Sequence, residues 1–92
     1  MFKVNYTVKA EADLNNIHDY IALDNPPRAV TYIKELRAVT DNLAIFPYMG
    51  SEIGGNPNNR RLVHGNYKII YKILKSKRKI FIKQIKNCAQ KD

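Results

Sequence analysis

Phe2, Val4, Tyr6 and Val8 alternate with Lys3, Asn5, Thr7 and Lys9, the period-two pattern of a strand with one buried face. From Ala10 the period lengthens. Ala10, Leu14, Ile17 and Ile21 recur at helical spacing with no proline or glycine between them, which predicts an amphipathic helix. Asn25-Pro26-Pro27 ends that helix, because proline disfavours helical geometry in the residue before it. The same tripeptide starts the next one, since asparagine caps free amides and proline is tolerated in a first turn. Tyr32, Leu36, Val39, Leu43 and Phe46 make the apolar stripe of this second helix, widened by Ala29 and Ile33, and Pro47 and Gly50 close it. Two helices joined this tightly form an antiparallel hairpin.

Between Pro47 and Asn59 the chain is rich in glycine and asparagine and has no periodic apolar signal, so an exposed loop is expected there. Arg60 to Val63, a His64-Gly65-Asn66 turn and Tyr67 to Leu74 then read as a hairpin, followed by a Lys75-Ser76-Lys77-Arg78 turn and a last strand from Lys79 to about Lys86. These three strands make a meander. Along the middle one, Tyr67, Ile69, Tyr71 and Ile73 point one way, and Lys68, Ile70, Lys72 and Leu74 point the other. The second face is half lysine, which an antiparallel sheet permits because only one side must be covered. The expected order is β-α-α-β-β-β, an α+β fold with a helical hairpin packed on an antiparallel-dominated sheet.

Composition narrows the classes. The chain has 92 residues, 16 Lys+Arg and 8 Asp+Glu, for a net charge of +8. A chain of this size buries roughly 60–70% of its unfolded surface, enough for one core and too little for two, so residues 1–92 are expected to form a single domain. Its longest apolar run, Leu43-Ala44-Ile45-Phe46, falls far short of the ~20 residues of a membrane span, and no signal-peptide pattern opens it. A cytoplasmic protein without membrane contact is expected. Cys88 is the sole cysteine, which excludes an intrachain disulfide and a multi-thiolate zinc site. With two histidines far apart, neither a metal nor a cofactor is expected. Charge is one-sided: residues 1–46 net −1 and residues 47–92 net +9, with no acid between Arg60 and Lys91. That asymmetry suggests a surface for phosphates or an acidic partner.

Most catalytic patterns are missing. Gly54-Gly55 lacks the lysine and hydroxyl spacing of a phosphate-binding loop and reads as a turn. Glu11, Asp13, Asp19 and Asp24 read as solvated charges on the polar face of the first helix, where His18 also lies. Cys88 and His64 carry no signature joining them, and His64 reads as a bystander in its turn before a general base. Phosphodiester chemistry or phosphate binding without metal remains. The candidates are Arg60, Arg61, Lys68, Lys72, Lys83 and Lys86, with Tyr67 and Tyr71 interleaved as stacking surfaces or proton donors. Both tyrosines share a face with Ile69 and Ile73, which favours core packing for them. For Arg61 a salt bridge to a helix carboxylate stands evenly against a functional role.

Ala12-Asp13-Leu14, Ile17-His18-Asp19-Tyr20-Ile21-Ala22, Asn25-Pro26, Leu43-Ala44-Ile45-Phe46-Pro47 with Gly50, Arg61-Leu62 and Gly65-Asn66-Tyr67-Lys68-Ile69-Ile70-Tyr71 together resemble the RelE/ParE superfamily of bacterial toxins. These are the toxin halves of type II toxin–antitoxin systems, also called plasmid stabilisation proteins. The resemblance spans nearly the whole chain and implies the same β-α-α-β-β-β fold. It also implies a cognate antitoxin as partner, with no small-molecule substrate. Its two branches differ in mechanism. RelE-like members cut mRNA on the ribosome with lysines and arginines, and for that branch the resemblance puts Arg61 and Lys68 in catalytic positions. ParE-like members poison DNA gyrase. The Asn25-Pro26-Pro27 junction and the Phe46-Pro47 exit look more like the ParE branch. The C-terminal Asn87-Cys88-Ala89-Gln90, with no tyrosine after Tyr71, departs from the nuclease pattern. A ParE-like gyrase inhibitor is therefore expected, with a metal-independent mRNA endonuclease as the alternative. A degenerate, non-toxic antitoxin-binding module is the third reading.

Overall fold

Thr7 separates the first strand from the first helix. Its backbone N–H and its hydroxyl both donate to the Ile82 carbonyl, at 3.2 and 2.8 Å, and its Oγ1 accepts from the Ala10 N–H at 3.2 Å. One side chain thus ties the end of the strand to the sheet and caps the helix. In the computed structural model, which describes residues 1–91, β1 spans Lys3–Tyr6 and α1 spans Val8–Ala22. The helix therefore begins before Ala10, where alternation still suggested strand. Asn25 caps α2 (Pro26–Asp41) as expected, accepting the Arg28 N–H at 3.1 Å, with proline in the first turn.

The stripe of α2 ends earlier than the sequence suggests. After Asp41 the chain tightens into a 3₁₀ turn, Asn42–Ala44, which rotates Phe46 away from the core and leaves it 61% exposed. Thr40 is buried in the stripe instead. Its hydroxyl donates to the Arg37 carbonyl at 2.8 Å and meets the Tyr6 hydroxyl, so its polar group is satisfied.

The segment expected to be a loop holds two strand pieces. β2 (Ser51–Ile53) pairs antiparallel with β3 (Asn56–His64) across a turn at Gly54-Gly55. β3 then pairs with β4 (Tyr67–Leu74), and β4 with β5 (Lys79–Asn87), both antiparallel. The meander thus has four strands. β1 lies parallel beside β5, giving a five-stranded sheet in the order β1-β5-β4-β3-β2. Parallel pairing follows from the helical hairpin, which carries the chain off β1 and across one face of the sheet before the meander returns to it.

That face holds the core. Ala10, Leu14 and Ile17 of α1, Tyr32 and Leu36 of α2, and Leu43 pack on Ile69, Tyr71 and Ile73 of β4 and Ile80, Ile82 and Ile85 of β5. Each such fully buried aliphatic side chain contributes about 1.5–3 kcal/mol. The spacing Ile80, Ile82, Ile85 breaks strict alternation because of a bulge: Tyr71 pairs with Ile82 while Ile70 pairs with Gln84, leaving Lys83 without an opposite residue. The extra residue turns Gln84 and Lys86 to the face away from the helices.

Asp13 is not a solvated helix charge. β1 ends at Tyr6, opposite Ile82, so the following part of β5 has no strand on the edge away from β4. Asp13, 7% exposed, fills the gap. Its Oδ2 accepts the Ile85 N–H at 2.9 Å, and Oδ1 is held by the Lys9 ammonium one helical turn earlier.

Candidate functional site

Cross-strand partners share a face, so the pairing register identifies the side of the sheet that the helices leave open. Across it run Lys3 and Asn5 of β1, Lys79, Phe81, Gln84 and Lys86 of β5, Lys68, Ile70, Lys72 and Leu74 of β4, and Asn59, Arg61 and Val63 of β3. Six are cationic, and no acid among the described residues belongs to this face. Like charges at this density repel unless counterions or a polyanion gather over them, so the face is a ready phosphate-binding surface.

Four of the residues singled out in the sequence meet here: Arg61, Lys68, Lys72 and Lys86. Lys72 is exposed and Arg61 is half-buried. Lys68 is 5% exposed because the C-terminal segment turns back over this end of the sheet. Its ammonium donates to the Gln90 carbonyl, and that of Lys86 to the Lys91 carbonyl. The Cys88 N–H donates to the Asn66 carbonyl at 2.8 Å and anchors the turn. Lys83 is exposed at the bulge, at the margin of the group. Lys3 and Lys79 escaped notice in the sequence because the parallel β1–β5 contact that brings them together has no local signal.

The remaining candidates lie on the helix side. Arg60 pairs with Tyr71, and its guanidinium holds the loop before β2. It donates to the Pro57, Gly50 and Tyr48 carbonyls at 2.8, 2.7 and 3.3 Å and lies 4.9 Å from the Tyr48 ring centroid. Tyr71 is fully buried, so it offers no surface for stacking. Its hydroxyl donates to the Pro47 carbonyl at 2.8 Å and accepts the Gly50 N–H at 3.0 Å. Burial pushes its phenol pKa up, so it stays protonated at neutral pH. Gly50 fits no larger residue, since a Cβ there would lie 2.6 Å from the Arg61 carbonyl oxygen. Tyr71→Phe removes one donor and orphans the Gly50 N–H. A loss of about 1–3 kcal/mol in urea unfolding is expected. Unchanged stability would contradict the bridging role of the hydroxyl.

Tyr67 is half-buried, 5.9 Å from Tyr32 between ring centroids. Beside it a cleft of about 450 Å³ opens between the end of α1, the start of α2 and the β3–β4 turn, lined by Tyr20, Arg28, Tyr32, Asn66 and Asn87 among others. Tyr32 donates to the His64 carbonyl at 2.8 Å. Glu35 lies 3.2 Å from His64 Nε2 and is paired with the Arg28 guanidinium. His64 therefore faces α2, away from the cationic face. Hydrogen bonds from Arg28 first, then His64, hold the Glu35 carboxyl below its usual range. A depressed carboxyl contributes stability that is present above the ordinary glutamate pKa and is lost as pH falls through the lowered folded-state value. Glu35→Gln is expected to lower stability modestly in the neutral region and to converge with the wild type below that window, which flattens the acid limb of a thermal-stability profile. An unaltered acid limb would contradict the linkage.

No helix among the described residues is long and apolar enough to cross a membrane. Residues 4–91 match the family model described as the ParE toxin of the type II toxin–antitoxin system parDE. The chain belongs to the ParE toxin family. Solved structures agree on the fold. A chain of the chromosomal ParDE system of Pseudomonas aeruginosa superposes with a TM-score of 0.78 at 20% identity, over 95% of this chain and 96% of that one. The RelBE2 toxin–antitoxin complex of Mycobacterium tuberculosis gives 0.72 at 18% identity, over 94% and 96%. The isolated RelE toxin of Escherichia coli gives 0.73 at 10% identity, over 100% and 89%. No curated protein matches the sequence significantly. In this ParE-family chain the open cationic face is therefore part of a toxin fold, and what it acts on depends on the chemistry that face can perform.

Proposed function

We propose that the chain arrests growth by inhibiting DNA gyrase through its cationic sheet face, without itself breaking a bond, and that an antitoxin silences it. The observation that carries this reading is what the face lacks. Cleaving a phosphodiester through its 2′-hydroxyl takes a proton acceptor and a proton donor as well as cations. Among the described residues the face supplies lysines and one arginine, with amides, aliphatics and one phenylalanine between them, and no carboxylate, imidazole or phenol. His64, Tyr67 and Tyr71 lie on the opposite side of the sheet. Such a face is suited to binding phosphates, and any proton transfer on it would fall to lysine alone. Family membership supports the ParE reading over the ribosome-dependent nuclease.

An antitoxin suited to this surface is acidic and extended. The chain offers it apolar anchors as well as charge: Ile45 and Phe46 are 60% and 61% exposed, and with Pro47, Tyr48 and Met49 they border a cleft of about 600 Å³. A segment that is disordered when free, with aliphatic side chains for this cleft and carboxylates for the lysines, would fold on binding. Expression of the chain without a partner tests all three readings. Gyrase-dependent DNA breaks are expected, with ribosome-bound mRNA intact. Cut mRNA would overturn the proposal in favour of a nuclease, and unimpaired growth would overturn it in favour of a non-toxic binding module.

A further inference from the structure

One row of the open face differs from the rest. The register aligns Asn5, Phe81, Lys72 and Asn59 on four adjacent strands, β1, β5, β4 and β3. At the strand spacing of a sheet this row is about 14 Å long. Phe81 is the only aromatic residue on the face among the described residues. It is half-buried and takes no part in the helix-side core. Lys72 lies directly opposite it, Lys79 is two residues before it on the same face, and Lys83 stands exposed at the bulge two residues after it. At the end of the row, Asn59 Oδ1 is buried and has no hydrogen-bond partner among the described residues. Native proteins pair such atoms almost without exception, so turning the Asn59 amide outward to a ligand would relieve an unpaired acceptor.

We infer that this row is a binding site for single-stranded DNA, in which Phe81 stacks on a base, Lys72 and Lys79 take the flanking phosphates, and the amides of Asn59 and Asn5 meet base edges. Each part follows from general chemistry. Proteins that hold single strands combine a cationic track with an aromatic platform, because every base has a π-face and every linkage a charge. Amide side chains supply both a donor and an acceptor, the pattern that base edges present. Ile70 and Leu74, on either side of Lys72, give Phe81 apolar neighbours on this face, but the ring is only half-buried there, so part of it is open to a ligand. The assignment to DNA over RNA rests on the gyrase reading. The stacking role of Phe81 does not.

The test is binding of a fluorescein-labelled twelve-residue oligothymidylate to the purified full chain, followed by anisotropy across a salt series. Phe81→Ala is expected to weaken binding about tenfold with the slope of log K against log salt unchanged, since no phosphate contact is lost. Phe81→Tyr, which keeps the ring, should bind as the wild type does. Phe81→Leu, which keeps apolar cover over the strands but no ring, should weaken binding like alanine, and so separates stacking from folding. An oligonucleotide with abasic sites should bind the wild type and Phe81→Ala equally. Equal losses for Phe81→Ala on the intact and abasic strands would overturn the stacking role, as would unimpaired binding by Phe81→Leu. Tighter binding of the corresponding oligouridylate would overturn the assignment to DNA. If the expected pattern appears while gyrase is unaffected by the protein, the stacking site stands and the gyrase reading fails.

Discussion

Asp13→Ala is expected to cost about 2–4 kcal/mol of folding stability, because it orphans a buried backbone N–H and leaves a void between α1 and β5. The carboxylate is the acceptor that a longer β1 would otherwise provide for Ile85. A small domain has roughly 5–10 kcal/mol in total, so the variant should lie near the edge of folding at growth temperature. Lys9→Ala provides the contrast. Lys9 is 64% exposed on its side chain, and an exposed pair of this kind contributes about 0–1 kcal/mol. Asp13→Asn keeps an oxygen for the Ile85 N–H and should fall between them. Urea denaturation of the three variants checks the order. Equal losses for Lys9→Ala and Asp13→Ala would mean that the ion pair matters and the backbone contact does not.

The second large effect concerns function. Lys72→Glu with Lys79→Glu puts two carboxylates at the centre of the open face and changes its net charge by −4. Each reversal removes an attraction to phosphate and adds a repulsion, so affinity for a polyanion should fall by more than about a hundredfold at low salt. Both side chains lie on the face away from the helix-side core, so the double variant should fold. Growth arrest should be lost at expression levels where the wild type stops division. The structure argues for combining substitutions: six cations share the face, and a diffuse field tolerates the loss of any one of them. Arg61→Ala or Lys68→Ala alone should therefore act only through affinity, with arrest returning at higher expression. A loss that higher expression cannot rescue would assign that residue to transition-state chemistry and favour the nuclease reading.

The parts of this fold that sequence made legible are those whose signal is local. Alternation marked β1 and β4, helical spacing marked α1 and α2, and Asn25-Pro26-Pro27 marked the corner between them. β2 was hidden because three residues, Ser51-Glu52-Ile53, carry no alternation and are embedded among glycines and asparagines. Its pairing depends on β3, whose first four residues are polar or proline. The bulge at Lys83 left a trace in the spacing Ile80, Ile82, Ile85, which strict alternation does not produce, and it decides that Lys86 joins the cationic face. Phe81 and Lys79 are placed there by Lys72 and Leu74 of β4, but Lys3 and Asn5 join them only through the pairing of β5 with β1, residues nearly a whole chain apart. Asp13 looked like any other carboxylate on a helix, because its role depends on where another strand stops. Conversely, the packing role read for Tyr71 from its neighbours Ile69 and Ile73 agrees with its burial.

The most direct test of the central claim is a supercoiling and DNA-cleavage assay with purified gyrase, the purified chain and its Lys72→Glu/Lys79→Glu variant. The wild type is expected to block supercoiling and leave gyrase-bound breaks in the plasmid, the variant to do neither, and RNA in the same mixture to stay intact. Equal inhibition by the variant, or no effect of the wild type on gyrase, would contradict that claim.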